Sequence, residues 1–242
     1  MKNQYFGDIN DYRKYGLLRI LTNSGEIKTA ICWMLTPDDG RGDGGFTSYL
    51  EQPDKWRHFD PLLFDHLREM VQTQNLRDVR GAETSAVLPS CRFAPGFLPD
   101  DADGRARYFE AFKDLAGGCD LVFFDPDNGI EVDTKPVGRK GSSKYLYWDE
   151  IELFWKAGHS LLIYQHFPRV KRDPCIKRRA RELAQRTGAE EVLSFLTPRV
   201  LFLLAPQDDH WEFFRERSEE VAEVWGSQIL VARHSPSRSE RS

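Results

Sequence analysis

Short apolar runs alternate with amphipathic segments along most of this chain, and that alternation limits the folds open to it. "KTAICWML" (28–35), "DLVFFD" (120–125) and "HSLLIYQHF" (159–167) read as buried strands. Between them, "DPLLFDHLREMVQ" (60–72), "GRARYFEAFKDLAGG" (104–118) and "YWDEIELFWKAG" (147–158) repeat apolar residues at helical spacing. Strands separated by helices return to the same edge of a sheet, so a mainly parallel, doubly wound α/β sheet with helices on both faces is predicted. A further helix, "PCIKRRARELAQRTG" (174–188), leads to "EVLSFLTPRVLFLLAP" (191–206), two strands broken by Thr197-Pro198. That pair implies one antiparallel strand near the end, followed by a helix over 209–225 and a short strand "QILVAR". "SAVLP" (85–89) reads as one more short strand.

The N-terminal "DINDYRKYGLLRILTNSG" is expected to form a helix of about twelve residues, capped by Asp8 or Asn10. One α/β domain over 1–233 is expected, with a disordered polar tail at 234–242. No apolar run approaches the roughly 20 residues that span a bilayer, and "MKNQYFGDIND" lacks the apolar core of a signal peptide. No membrane partner and a cytoplasmic location are the expectations; the oligomeric state is left open. Four dispersed cysteines with no C-x-x-C pair argue against a zinc site or a disulfide framework.

In open sheets of this class, ligands bind beyond the carboxyl ends of the strands. The rule gathers three polar exits on one rim: "TPDDGRGDGG" (36–45), "DPDNG" (125–129) and "QHFPR" (165–169). Asp125, Pro126, Asp127 and Asn128 follow four apolar residues directly, which would hold the tip rigidly and suit proton transfer or recognition of an amine. Turn chemistry alone also favours these residue types. The 36–45 loop matches neither G-x-G-x-x-G nor G-x-x-x-x-G-K-S/T, yet its glycines allow close backbone approach to a ligand. Asp127 with Asp133 and Lys135 mimics a nuclease pattern, but five intervening residues cannot place both halves around a metal. Lys144 and Tyr145 close a loop of about twenty residues, long enough to suggest function, and with His166 and Arg169 they are candidate substrate contacts. The chain carries a net charge of −4, but residues 169–186 hold eight Lys/Arg against Asp173 and Glu182, a candidate nucleic-acid surface. Trp33, Trp148 and Trp155 are expected in the core.

Three of these landmarks together resemble a known family, the large-subunit ribosomal-RNA adenine-N6 methyltransferases. That family opens with A-G-N-x-A-D-V-x-K-H; "FGDINDYRKYGLL" is similar, with Gly7, Asp11 and Lys14 at matching spacing. The first strand then enters a glycine-containing loop, as in "CWMLTPDDGRGDG", and a later strand ends in D-P-P-Y where this chain has "FFDPDNG". The resemblance implies a Rossmann-like methyltransferase fold, S-adenosylmethionine as cofactor and a nucleic-acid base as substrate. It places Gly7, Asp11, Lys14, Asp38, Asp39 and Gly40 at the cofactor. Asp125 and the Pro126 carbonyl would receive the target amine. Asp127 and Asn128 stand where the family has proline and tyrosine, so the ring that stacks on a flipped base must come from elsewhere, with Tyr145 or Tyr147 as candidates. Two alternatives compete with this reading. One is a Mg²⁺-dependent nuclease or phosphoesterase using Asp38, Asp39, Asp125 and Asp127. The other is a catalytically inactive binding module in a setting such as phage defence.

Overall fold

A computed structural model describes residues 1–38, 40, 44–167 and 171–235. Its centre is a seven-stranded sheet built from β1 (Thr29–Cys32), β2 (Cys91–Phe93), β3 (Leu121–Phe124), β6 (Ser160–His166), β7 (Val192–Leu196), β8 (Val200–Ala205) and β9 (Leu230–His234). Across the sheet the order is β2-β1-β3-β6-β8-β7-β9. The first four are mutually parallel, with Ile31 opposite Phe93 and Phe123, and Phe123 opposite Leu162. β8 runs antiparallel to β6 and β7, and β9 antiparallel to β7. Five strands thus share one direction and the antiparallel part comprises β8 and β9. A two-stranded ribbon, β4 (Gly129–Ile130) and β5 (Tyr145–Leu146), frames the long loop after β3.

The doubly wound, Rossmann-like architecture follows from alternation along each strand, since successive side chains point to opposite faces. Phe123 joins Ile31, Trp33, Leu162 and Phe202 on one face, beneath α1 (Ile9–Leu21), α3 (Pro61–Arg68) and α8 (Trp211–Trp225). Phe124 joins Cys32, Val122, Ile163 and Leu203 on the other, beneath α5 (Ala102–Ala116), α6 (Trp148–Lys156) and α7 (Arg172–Thr187). Two short helices, α2 (Pro53–Trp56) and α4 (Arg80–Glu83), fill the connection between β1 and β2. Phe123 and Phe124 are wholly buried. Each contributes about 1.5–3 kcal/mol by leaving water, so the two faces are stapled through adjacent residues of β3.

Several boundaries have local causes. Asp8 caps α1 by accepting from the Asn10 and Asp11 amides; Asp60 and Asp101 do the same for α3 and α5. α7 stops at Gly188, whose φ of +79° is open to glycine at no steric cost. The predicted strand over 85–89 is instead a run of turns, and β2 begins two residues later at Cys91. Pro89 precludes a ladder N–H, and Ser90 takes a positive φ of 58° before pairing starts. Trp33 is buried as expected, while Trp148 and Trp155 pack partly buried against the second core. Of the expected tail, only His234 and Ser235 lie within the described residues.

Candidate functional site

β1, β3, β6 and β7 all end on one rim, and the chain reverses its winding between β1 and β3, since β2 and β3 flank β1 on opposite sides. The gap beyond that switch point is spanned by Met1. Its amino group donates to the carbonyls of Met34 (3.3 Å) and Asp125 (3.0 Å), and its own carbonyl accepts from the Thr36 amide (2.9 Å). Met34 holds a φ of +47° to make this possible, a conformation that costs a non-glycine residue about 1 kcal/mol or more.

The N-terminal motif folds into the same place. Asp8, Asp11 and Lys14 recur at three-residue steps, so they share one side of α1. The Lys14 ammonium is buried between Asp11 Oδ1 (2.6 Å) and Asp125 Oδ2 (2.7 Å), beside the rings of Tyr15 and Trp33. Asp11 Oδ2 accepts from the Gly7 amide and the Tyr15 hydroxyl, both at 3.2 Å. Burial favours the neutral amine of Lys14, but the two carboxylates outweigh it and its pKa is raised. Lys14 is therefore an ammonium wherever the fold is intact. Burial and the neighbouring Asp125 raise Asp11 against the pull of Lys14, and burial followed by the Asp11 charge pushes Asp8 up to about 7.

The tip itself is pinned at Asp125, Asp127 and Asn128. The Asp125 amide pairs with the Cys32 carbonyl at 3.0 Å. Asp127 lies 2.8 Å from the Met1 amino group and accepts from the Thr36 hydroxyl at 3.0 Å. Burial raises the Asp127 pKa, yet the amino group and the hydroxyl more than offset it and the net shift is downward. Asn128 donates its amide to the Lys144 carbonyl (2.9 Å), which ties the tip to the far end of the long loop. Gln165 completes the clamp, donating to the Asn128 carbonyl (3.3 Å) and accepting from the Ile130 amide (3.0 Å). At Gly129 (φ +99°) any Cβ would stand 2.4 Å from that Gln165 amide, so only glycine fits.

These elements enclose a pocket of about 430 Å³. Its deep wall is Asp8, Asp11, Lys14 and Asp125, all nearly fully buried. Its sides carry Asn10, Pro126, Asp127, Asn128, Lys144 and the rings of Tyr5 and Tyr164, and Phe46, His166 and Arg199 stand exposed at the mouth. Burial holds the His166 pKa down against the Asp127 charge, so its imidazole is neutral at pH 7.

The structure thus brings Asp125, Pro126, Asp127, Asn128, Asp11, Lys14, Lys144 and His166 to one cavity. Gly7 sits just behind, its carbonyl accepting from the Tyr49 hydroxyl. Asp38 is exposed and accepts from the Gln4 amide, and Gly40 is exposed with open space around it. Asp39 and Arg169 lie outside the described residues. Tyr145 turns away, its carbonyl bound by Arg105, and Tyr147 lies beneath the Arg105 guanidinium with its hydroxyl on the Lys135 carbonyl. The rings that do face the pocket are Tyr5, Phe46 and Tyr164. Of these, Tyr164 carried a sequence signal, because it lies two residues before His166 on one strand face. Phe46 and Arg199 meet only through tertiary structure, the guanidinium carbon 3.9 Å from the ring centroid.

No three Asp, Glu, His or Cys side chains converge on a common point among the described residues. The Mg²⁺ reading finds no ligand set there, because Asp125 and Asp127 are committed to Lys14 and the Met1 amino group while Asp38 points elsewhere.

Asp8 gives the site a pH signature. Its folded pKa lies above that of an unfolded aspartate, so its contribution to stability is complete below about pH 4 and declines through about pH 7. Asp8→Asn preserves the helix cap while removing the titration. The variant should show a flatter stability profile between pH 5 and 8 in urea titrations, with a relative gain at pH 8 of up to about 4 kcal/mol. Parallel profiles would refute the assignment.

No family model matches the chain, and no curated protein matches it. Among solved structures it is similar to a crystal structure of protein LPL1258 from Legionella pneumophila str. Philadelphia 1, family model DUF519. The two share 11% identity over 96% of this chain and 98% of that one, with a TM-score of 0.45.

Proposed function

We propose that this chain is a methyltransferase-like α/β protein whose pocket receives one amine-bearing base of the kind found in nucleic acids. The observation that carries this reading is the buried Asp11–Lys14–Asp125 bridge, which locks the N-terminal motif to the strand tip at the carboxyl rim of the sheet. Asp125 and the adjoining Pro126 carbonyl lie at the deep end, where an exocyclic amine finds acceptors, and the rings of Tyr5, Phe46 and Tyr164 line the same pocket.

S-adenosylmethionine, the donor implied by the resemblance, would supply the methyl group. The described residues do not form a cradle for it at the switch point. Met1 spans that gap, and Gly40 of the expected cofactor loop stands exposed, away from the pocket. A volume of about 430 Å³ is near the low end for ligand sites and takes one ligand, not a base and a cofactor together. The same observation favours a second reading, in which the scaffold binds its base without methylating it.

Calorimetric titration separates the readings. Adenosine and cytidine should bind about tenfold tighter than inosine and uridine, which replace the amine by an oxygen. Equal affinities would sink the base reading. Heat from millimolar S-adenosylmethionine, and from its demethylated product, would restore methyl transfer, while silence with both would leave the binding module.

A further inference from the structure

The reading above leaves open whether the base arrives within a strand or as a free nucleotide, and this inference rests on that reading. A strand needs a track of cations for its flanking phosphates, whereas a nucleotide needs only one or two at the pocket mouth. The sequence places a basic track along 169–186. In the fold much of that charge is already engaged. Arg172 donates to the Pro198 carbonyl (2.8 Å), Arg179 to Glu182 (2.9 Å) and to the Glu131 carbonyl (3.0 Å), and Arg186 to Glu152 (3.2 Å). Arg178 lies 3.9 Å from Glu182. The whole chain carries a net charge of −4, which repels a polyanion.

The pocket shows the opposite pattern, with Lys144 on its side and Arg199 at its mouth. Neither the Lys144 ammonium nor the Arg199 guanidinium has a carboxylate partner among the described residues, although 38 acidic residues compete for cations along the chain. Arg199 is stacked on Phe46, an arrangement that leaves guanidinium N–H groups directed edgewise, where a phosphate oxygen can be met. Two cations, unpaired among the described residues, therefore face a pocket whose inner wall is acidic.

We propose that the ligand is a free nucleoside phosphate, its amine directed to Asp125 and the Pro126 carbonyl and its phosphate held by Lys144 and Arg199. A polynucleotide is the competing partner, and one experiment decides between them. AMP and CMP, their nucleosides and 12-nucleotide single strands of A and of C are titrated into the wild type, Lys144→Ala and Arg199→Ala, at two salt concentrations. At least one nucleotide should bind tenfold or more tighter than its nucleoside. Each variant should lose most of that advantage while nucleoside affinity stays within twofold. The strands should bind no tighter than the nucleotide, with a shallow salt dependence. Thermal midpoints of both variants confirm folding, since Arg199 is exposed and Lys144 half-buried. Strands binding more than tenfold tighter, with a steep salt slope, would overturn the proposal while leaving the base reading intact. Nucleosides and nucleotides of equal affinity would also overturn it, and absence of all binding would remove both.

Discussion

Lys14→Met is expected to destabilise the protein by about 3–5 kcal/mol at pH 7, measured by urea unfolding, because it strands two buried carboxylates. The ammonium lies within 2.7 Å of both Asp11 and Asp125, and all three side chains are almost completely excluded from water. Replacing the ammonium by a thioether of similar length keeps the packing against Trp33 and Tyr15 but removes the charge. The sign of the pH dependence follows from the two acids left behind. With Lys14 gone, Asp11, which burial already raises, loses the pull that opposed it, and its folded pKa rises further above the unfolded one. The penalty of ionising Asp11 is then absent below about pH 4 and grows as the pH rises through its folded value. The variant should therefore approach wild-type stability near pH 4 and diverge from it towards pH 7. Adding Asp125→Asn to Lys14→Met should recover part of the loss, since one uncompensated charge is then removed. A loss below 1 kcal/mol, or one independent of pH, would show that the bridge contributes little.

How much of this was legible in the sequence depends on range. The alternation of buried strands and amphipathic helices fixes the doubly wound sheet, because burial on both faces of β3 demands the unbroken run Leu121–Phe124. The i, i+3 steps of Asp8, Asp11 and Lys14 fix their common face, and the carboxyl-rim rule brings that face towards Asp125. What could not be read was pairing over distance. Lys14 and Asp125 are 111 positions apart, and nothing local distinguishes a lysine that will be buried from one that will be solvated. Phe46 and Arg199 are a similar case: a loop aromatic and a hairpin cation carry no pattern until the β7–β8 turn places them together. The basic run at 169–186 shows the same limit, since sequence counts charges but not the carboxylates and carbonyls that engage Arg172, Arg179 and Arg186.

Arg105→Met should cost a comparable 3–5 kcal/mol, and it should do so while loosening the ligand site from 126 to 147. Arg105 is only 2% exposed, as buried as the core around it, and its guanidinium satisfies four acceptors at once. It binds both oxygens of Glu150 and the carbonyls of Ser142 and Tyr145, and it is sandwiched near the rings of Phe109 and Tyr147. Without it, Glu150 remains buried, where burial already raises its pKa despite the arginine, and two carbonyls lose their donor. For a chain of this size the loss corresponds to a fall in melting temperature of roughly 10 °C. The effect should also travel. Ser142 and Tyr145 flank Lys144, whose carbonyl holds the Asn128 amide, so the loop and the tip share one anchor. Hydrogen exchange should therefore accelerate at Asn128, Gly141 and Ser143, which are otherwise held by Lys144 and Asp100, while β8 and β7 stay protected. Arg105→Met combined with Glu150→Gln should restore stability more than loop order, because removing both charges relieves the buried carboxylate yet leaves the Ser142 and Tyr145 carbonyls unsupported. Uniform exchange across the sheet and the loop would instead mean that Arg105 stabilises the fold globally and does not anchor the site.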